Sequence, residues 1–400
     1  MNLPASALGI LLLAYACQVF LLSPPYQSDL TNTAGLALLS ISATPTSQVL
    51  TKTHVLITGA TNGIGKELTL ALLNLGATVI GVGRSQTKLD DLVTTTASLQ
   101  GTVHPLRADL SDLDQVAKLK PLVLEITPKL DYLVNNAGIH YGPPWLAMHL
   151  DTNSPSRGMD TLFVTNYLSH FFLTELMIPL LEQSTIPNPR IVQVTSSYHW
   201  ISDGLFLTPN GPLPPFAARG STAPKPYRQA HLSYGDSKLA QLLHMHALNR
   251  RIASSHPRSN LAVIAFCPAW VGTDFAPAGI MRTIVQSIGH SPAAGIHGLL
   301  HALLHPAIVA GDFIGNTNIV NAVPFKDHLL ARGFNVAGWY YPRDDLVDGM
   351  AVVMLALQRF SYGAFRQQGS PESRDEELQD ALYGWSKRVV GEWEVADLQD

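Results

Sequence analysis

The chain has 400 residues, 46% hydrophobic and 14% charged, enough for one large α/β domain with extensions and for a sizeable core. Its 26 basic and 30 acidic residues leave a net charge of −4, which provides no electrostatic footprint for nucleic acid, and no such partner is expected. Cys17 and Cys267 are the only cysteines, so composition argues against a disulfide framework and against a cysteine-based zinc site.

Leu3 to Leu22 carries no charge and includes Ile10-Leu11-Leu12-Leu13. As a helix it is long enough to cross a hydrocarbon layer of about 30 Å, so residues 1–22 are expected to be a single-pass membrane anchor in the endoplasmic reticulum or another endomembrane. The rival is a cleaved signal peptide with a lumenal or secreted product, because Ala14-Tyr15-Ala16 is a small-x-small site, although the basic n-region is absent. Pro24-Pro25 ends the helix, and residues 23–52 read as a Ser/Thr-rich linker. No Lys or Arg precedes Lys52, which leaves the orientation open.

His54 to Thr58 reads as a strand running into Gly59-Ala60-Thr61-Asn62-Gly63-Ile64-Gly65, after which Leu68, Leu72 and Leu75 recur at helical spacing. This is the pattern of a dinucleotide-binding turn. Gly59 turns the chain, Gly63 lets backbone approach a pyrophosphate, and Gly65 lets the helix pack on the sheet. Further strand-like runs follow at Ala77 to Val82, Val103 to Leu106, Tyr132 to Val134, Ile191 to Thr195 and Leu261 to Phe266, with helical patterns between. The alternation predicts an α/β fold, a doubly wound parallel sheet, as a single catalytic domain over 53–325 with ligands at the carboxyl ends of the strands. The proline-rich segment 202–229 interrupts the rhythm and reads as an irregular insertion loop. Residues 326–400 read as a helical C-terminal extension, with helices over Leu346 to Phe360 and over Ser373 to Val390, the latter opening on the capping-box pattern Ser373-x-x-Glu376.

Four segments follow the glycine turn in order: Asn135-Asn136-Ala137-Gly138, Asn166, Ser196-Ser197, and Tyr234-Gly235-Asp236-Ser237-Lys238 at a helix start. From average residue usage the glycine motif arises by chance in roughly one chain of this size per thousand, whereas Y-x-x-x-K arises in about every one or two. The weight therefore rests on the first motif and on the order of the set. Lys238 lies one helical turn after Tyr234, where its ammonium is expected to lower the phenol pKa and make Tyr234 a proton donor or acceptor.

With these motifs, from about Thr53 to Thr273, the chain resembles the short-chain dehydrogenase/reductase family. Within it the chain is most similar to the retinol dehydrogenase-like members, whose usual ending Asp375-Glu376-Glu377-Leu378 and Trp385-Ser386 resemble. The resemblance implies a Rossmann fold and a catalytic set in which Tyr234 moves the proton, Lys238 also contacts the nicotinamide ribose, Ser197 holds the substrate oxygen and Asn166 holds a relay water. It also implies a cofactor site of Gly59, Asn62, Gly63, Ile64 and Gly65, with Asp109 and Leu110 beside the adenine, Asn136, Ala137 and Gly138 along the adenosine ribose, and Pro268 to Thr273 over the nicotinamide. Cys267-Pro268-Ala269 stands where Pro-Gly is more usual. Gly83 and Arg84 end the second strand where an acid would read the ribose of NAD, so NADP(H) is expected in preference to NAD(H). The implied activity is interconversion of an alcohol and a carbonyl on a lipid-like substrate such as a retinoid, steroid or polyprenol, by a protein that can form a homo-oligomer. Two alternatives stay open: a silent NADP-binding sensor or interaction protein on the same fold, and a nucleotide-sugar epimerase, which shares Y-x-x-x-K. His297, His301 and His305 recur every four residues but lack an accompanying acid or cysteine, so they are read as a packed or solvated helix face and no metal is expected. His244 and His246 are read the same way.

Overall fold

A computed structural model describes residues 50–140, 159–202, 204, 207–208, 211–212, 226–256, 259–275, 280–316, 334–336, 339–341, 365–367 and 369–396. The expected anchor, nearly all of the linker and the expected helix at 346–360 lie outside the described residues. Among the described residues no helix is long and apolar enough to cross a membrane.

The runs read as strands form the centre of the molecule: β1 (His54–Thr58), β2 (Thr78–Gly83), β3 (Thr102–Arg107), β4 (Tyr132–Asn135), β5 (Arg190–Val194) and β6 (Ala262–Cys267). Boundaries differ from the sequence reading by about a residue. With β7 (Phe313–Gly315) and β8 (Phe365–Arg366) they make one sheet in the order β8-β7-β6-β5-β4-β1-β2-β3. The pairs from β7 to β3 are parallel, and β8 pairs antiparallel with β7. The C-terminal extension thus adds an edge strand to the catalytic sheet. β1 is flanked by β2 on one side and β4 on the other, and this switch point opens a crevice at the carboxyl ends of the strands.

Central strands read as unbroken apolar runs because both faces are covered. Leu56 points into a layer with Phe171 and Leu239, whereas its neighbours Val55 and Ile57 point into the opposite layer with Leu72, Ile264 and Leu299. The first layer is supplied largely by α5 (Ser169–Leu181) and α6 (Pro226–Ser255), and the second by α1 (Gly63–Asn74) and α9 (His297–Leu304). Between them in chain order lie α2 (Gln86–Thr96), α3 (Leu113–Ala117), α4 (Leu119–Ile126), α7 (Ile280–Ile288) and α8 (Pro292–Gly295).

Three expectations change. The segment 202–229 is not loop throughout, since Leu207–Thr208 pairs with Gly211–Pro212 and α6 already begins at Pro226. Tyr234 therefore sits inside the helix rather than at its start. The C-terminal helix α10 spans Glu376–Ala396 and follows a 3-10 turn at Pro371–Arg374. Its first turn is capped by Asp375, whose Oδ1 accepts from the Leu378 N–H at 3.0 Å, while Ser373 donates to the Ser370 carbonyl. The apparent capping box was two residues early. α10 then docks on α5 and α6: Ser386 bonds the Tyr167 hydroxyl at 2.8 Å, Lys387 pairs with Glu175 at 3.1 Å, and Asp380 pairs with Arg250 and Arg251.

Arg190, at the start of β5, is 1% exposed and donates to the carbonyls of Ala302, Leu303, His305 and Ile308, which end α9 and the turn after it. His297 and His301 are buried in the packed face of this helix.

Candidate active site

The glycine turn is held by contact, not by side chains of its own. Gly59 has φ +69° and Gly63 φ +52°, the left-handed region that glycine adopts without strain. At Gly65 a Cβ would lie 2.2 Å from the Gly59 carbonyl oxygen, so only glycine lets α1 start against the end of β1. Asn62 precedes α1 in extended geometry without a side-chain cap, which leaves first-turn N–H groups facing the crevice. Thr58 fastens the neighbouring strand end, its hydroxyl accepting from the N–H groups of Asn136 and Ala137 at 2.9 Å each, while Asn136 Nδ2 donates to the Thr58 carbonyl at 2.8 Å.

At the other end of the crevice α6 carries Tyr234 and Lys238, 6% and 3% exposed, with Lys238 Nζ 5.4 Å from the Tyr234 ring centroid. Burial raises the Tyr234 phenol well above its ordinary value. The lowering expected from Lys238 is not what governs this tyrosine: Nζ donates to the Val194 carbonyl at 2.9 Å and to Gln241 Oε1 at 3.1 Å, and burial brings Lys238 itself down to about 7. Ser196 and Ser197 follow β5 at the start of a 3-10 turn, Ser197–Ile201, and both line the cavity that Tyr234 lines; the Ser196 Oγ accepts from the Tyr198 N–H at 3.3 Å.

Asn166 lies in a π-helical turn, Val164–Leu168, directly before α5, a local widening common at functional sites. It is fully buried. Its Oδ1 accepts from the Ile139 N–H at 2.8 Å and its Nδ2 donates to the Ile139 carbonyl at 3.0 Å and to Ser237 Oγ at 3.1 Å, which ties the loop after β4 to α6. Its own carbonyl accepts from Gln241 Nε2 at 2.9 Å and lies 3.0 Å from His170 Nδ1. Burial pushes His170 down to about 4.

One cavity of about 1110 Å³ joins the two ends, at the top of the roughly 300–1,000 Å³ range of small-molecule sites. Gly59, Asn62, Gly63, Ile64, Arg84, Asp109, Leu110, Asn136, Ala137, Gly138, Ser197, Tyr234, Lys238, Pro268 and Thr273 all line it; Gly65 and Asn166 stand behind its wall. Ser196, the other serine of the pair, and Lys88, which sequence reasoning missed, also line it. Lys88 was findable, lying four residues after Arg84 in the first turn of α2. Sequence reasoning also missed the aromatic rings about Tyr234: His140 at 4.6 Å, Tyr198 at 5.6 Å and Phe275 at 5.8 Å between centroids. No local pattern marks these, because they come from three separate loops. Ala269 has φ +62°, so the position where glycine is more usual does demand a left-handed backbone, and alanine holds it under strain.

These residues fit a nicotinamide dinucleotide. A backbone cradle that Cβ atoms would fill lies at one end, the buried Tyr234 at the other, and the cavity is continuous between them. Fold and site together define a nicotinamide-dependent oxidoreductase of the doubly wound class. The short chain dehydrogenase family model matches residues 53–200. The short-chain dehydrogenase TIC 32 A of Brassica napus is 26% identical over 284 residues, 68% of this chain and 82% of that protein. Retinol dehydrogenase 13 of Mus musculus is 26% identical over 355 residues, 87% of each chain. The crystal structure of an uncharacterized Mycobacterium paratuberculosis protein matches the fold with a TM-score of 0.57 at 22% identity, covering 88% of this chain and 97% of that one. The short-chain dehydrogenase match and relatives that include retinol dehydrogenases make the chain an oxidoreductase enzyme similar to that family.

Proposed function

We propose that the protein is an NADP(H)-dependent oxidoreductase that interconverts an alcohol and a ketone or aldehyde on a hydrophobic, lipid-like substrate. The observation that carries this reading is the buried Tyr234, one helical turn from Lys238, in the same cavity as Ser197 and the glycine turn. The bound nicotinamide supplies or accepts the hydride. Tyr234 gives a proton to the substrate oxygen, or takes it back in the alcohol direction, and Ser197 orients that oxygen. Burial keeps the phenol protonated, the form that serves carbonyl reduction.

Two further points support the finer assignment. Gly83 leaves no room for the acid that reads NAD, since a Cβ there would meet Thr61 Cγ2 at 2.9 Å, whereas Arg84 and Lys88 both reach the cavity rim beside it. The aromatic rings around Tyr234 suit an apolar substrate, as does a name among the relatives that refers to retinol. Residues 1–22 would hold the enzyme at the membrane where such a substrate dissolves.

The test is turnover of retinal, a steroid ketone, a polyprenal and decanal with NADPH. Tyr234→Phe should lose at least a hundredfold in kcat with NADPH affinity intact, and Ser197→Ala should lose far more kcat than Ser196→Ala. A Tyr234→Phe enzyme retaining more than a few per cent of activity refutes the mechanism. Tight NADPH binding without turnover of any carbonyl or alcohol would make the chain a sensor.

A further inference from the structure

Lys238 is held from inside the protein by two neutral acceptors, the Val194 carbonyl and the Gln241 amide oxygen. An ammonium has three donors, and the third is left for the cavity that Lys238 lines. Gln241 is 1% exposed and uses both ends of its amide: Oε1 accepts from Lys238 at 3.1 Å while Nε2 donates to the Asn166 carbonyl at 2.9 Å. That carbonyl belongs to the π-helical turn, so the amide spans from α6 to the irregular start of the neighbouring helix. Family resemblance places a water at this asparagine.

We infer that Gln241 is a positioning residue for the reaction: its amide bridges Lys238 to Asn166 in place of a relay water and aims the remaining N–H of Lys238 into the cavity. The inference rests on the reading of Lys238 as part of the machinery. A carboxamide keeps its protons, so the bridge acts as a clamp and not as a proton path.

The setting makes the clamp consequential. Among the described residues the titratable groups facing Lys238 are Tyr234 from its own helix, Cys267 from β6 and His170 from α5, with no carboxylate among them. The ammonium therefore depends on two dipoles to stay charged in a buried place. Removing one dipole should lower its pKa, and placing a carboxylate there should raise it.

The experiment is NADPH binding by fluorescence across about pH 6 to pH 9.5, on the full-length protein in detergent, with decanal reduction followed in parallel. Wild-type affinity should fall as Lys238 deprotonates. Gln241→Leu should move that midpoint down by about one pH unit and weaken binding at pH 7.5 roughly tenfold, and Gln241→Glu should move the midpoint up. Midpoints unchanged in both variants overturn the inference, because a merely structural residue would alter thermal stability without moving a titration. Should Gln241→Leu fail to fold by circular dichroism, Gln241→Glu decides alone: an upward shift supports the clamp and no shift refutes it. Lys238→Ala separates the two layers. If it binds NADPH as tightly as wild type, with the same pH dependence, the reading of Lys238 itself fails. If it loses affinity while the Gln241 variants titrate normally, only the clamp fails.

Discussion

The proposed preference for NADP(H) rests on a solvent-facing rim, and that sets how large the effect of changing it can be. Arg84 and Lys88 are both exposed, one at the end of β2 and one in the first turn of α2. Neither has a carboxylate partner among the described residues, so both are free to meet a 2′-phosphate. A charge-assisted hydrogen bond contributes about 1.5–3 kcal/mol, but exposed ion pairs often contribute only about 0–1 kcal/mol. Arg84, with its bidentate fork, is expected near 1.5 kcal/mol and Lys88 near 1 kcal/mol. Arg84→Ala should then weaken NADPH binding roughly tenfold and the double alanine variant roughly fiftyfold or more, with NADH binding changed less than about twofold. Raising salt should narrow the difference between wild type and variants. The reciprocal engineering should fail: Gly83→Asp, the simplest NAD-type acid, would press on Thr61 and Leu89, whose side-chain atoms lie 2.9 and 3.3 Å from a Cβ at that position. It should not improve NADH binding. The assay is a direct titration of each reduced cofactor by fluorescence. Equal losses for NADPH and NADH in Arg84→Ala would show that the arginine only shapes the loop, and the NADP assignment would lose its main support.

Gly65→Ala should weaken both cofactors at least tenfold and lower the Tm, because a Cβ 2.2 Å from the Gly59 carbonyl pushes α1 off the strand end; normal binding of either cofactor would contradict the packing argument. Arg190→Met should destabilise by about 3–5 kcal/mol, since it leaves four carbonyls at the end of α9 without their buried donor; urea unfolding with an unchanged midpoint would refute that. Stability should also fall on acidification. Burial holds His170 at about 4 and His244 at about 3, below the unfolded value of about 6.5, so the unfolded chain binds more protons and the stability present above pH 6.5 is lost as pH drops. At pH 5.5 the linkage amounts to about 1.4 kcal/mol per histidine. A urea midpoint that stays flat between pH 7.5 and pH 5.5 would contradict it.

What the sequence determined by itself was whatever depends on neighbours in the chain. The glycine turn, the apolar strands and the one-turn spacing of Tyr234 and Lys238 are local patterns, and each appears where it was read, with ends displaced by about a residue. Tertiary structure decided the remainder. The cap at Asp375 rather than Ser373 depends on a 3-10 turn that the spacing S-x-x-E cannot exclude. The electrostatics of Tyr234 and Lys238 were governed by burial, which comes from α5, α6 and the loops between, and it outweighed the pairwise attraction that spacing suggested. Gln241, His140 and the buried Arg190 carry no motif at all. Their roles arise from partners between 75 and 118 residues away for Gln241 and Arg190, and 94 away for His140 against Tyr234, and proximity of that kind exists only once the sheet has brought its strands together.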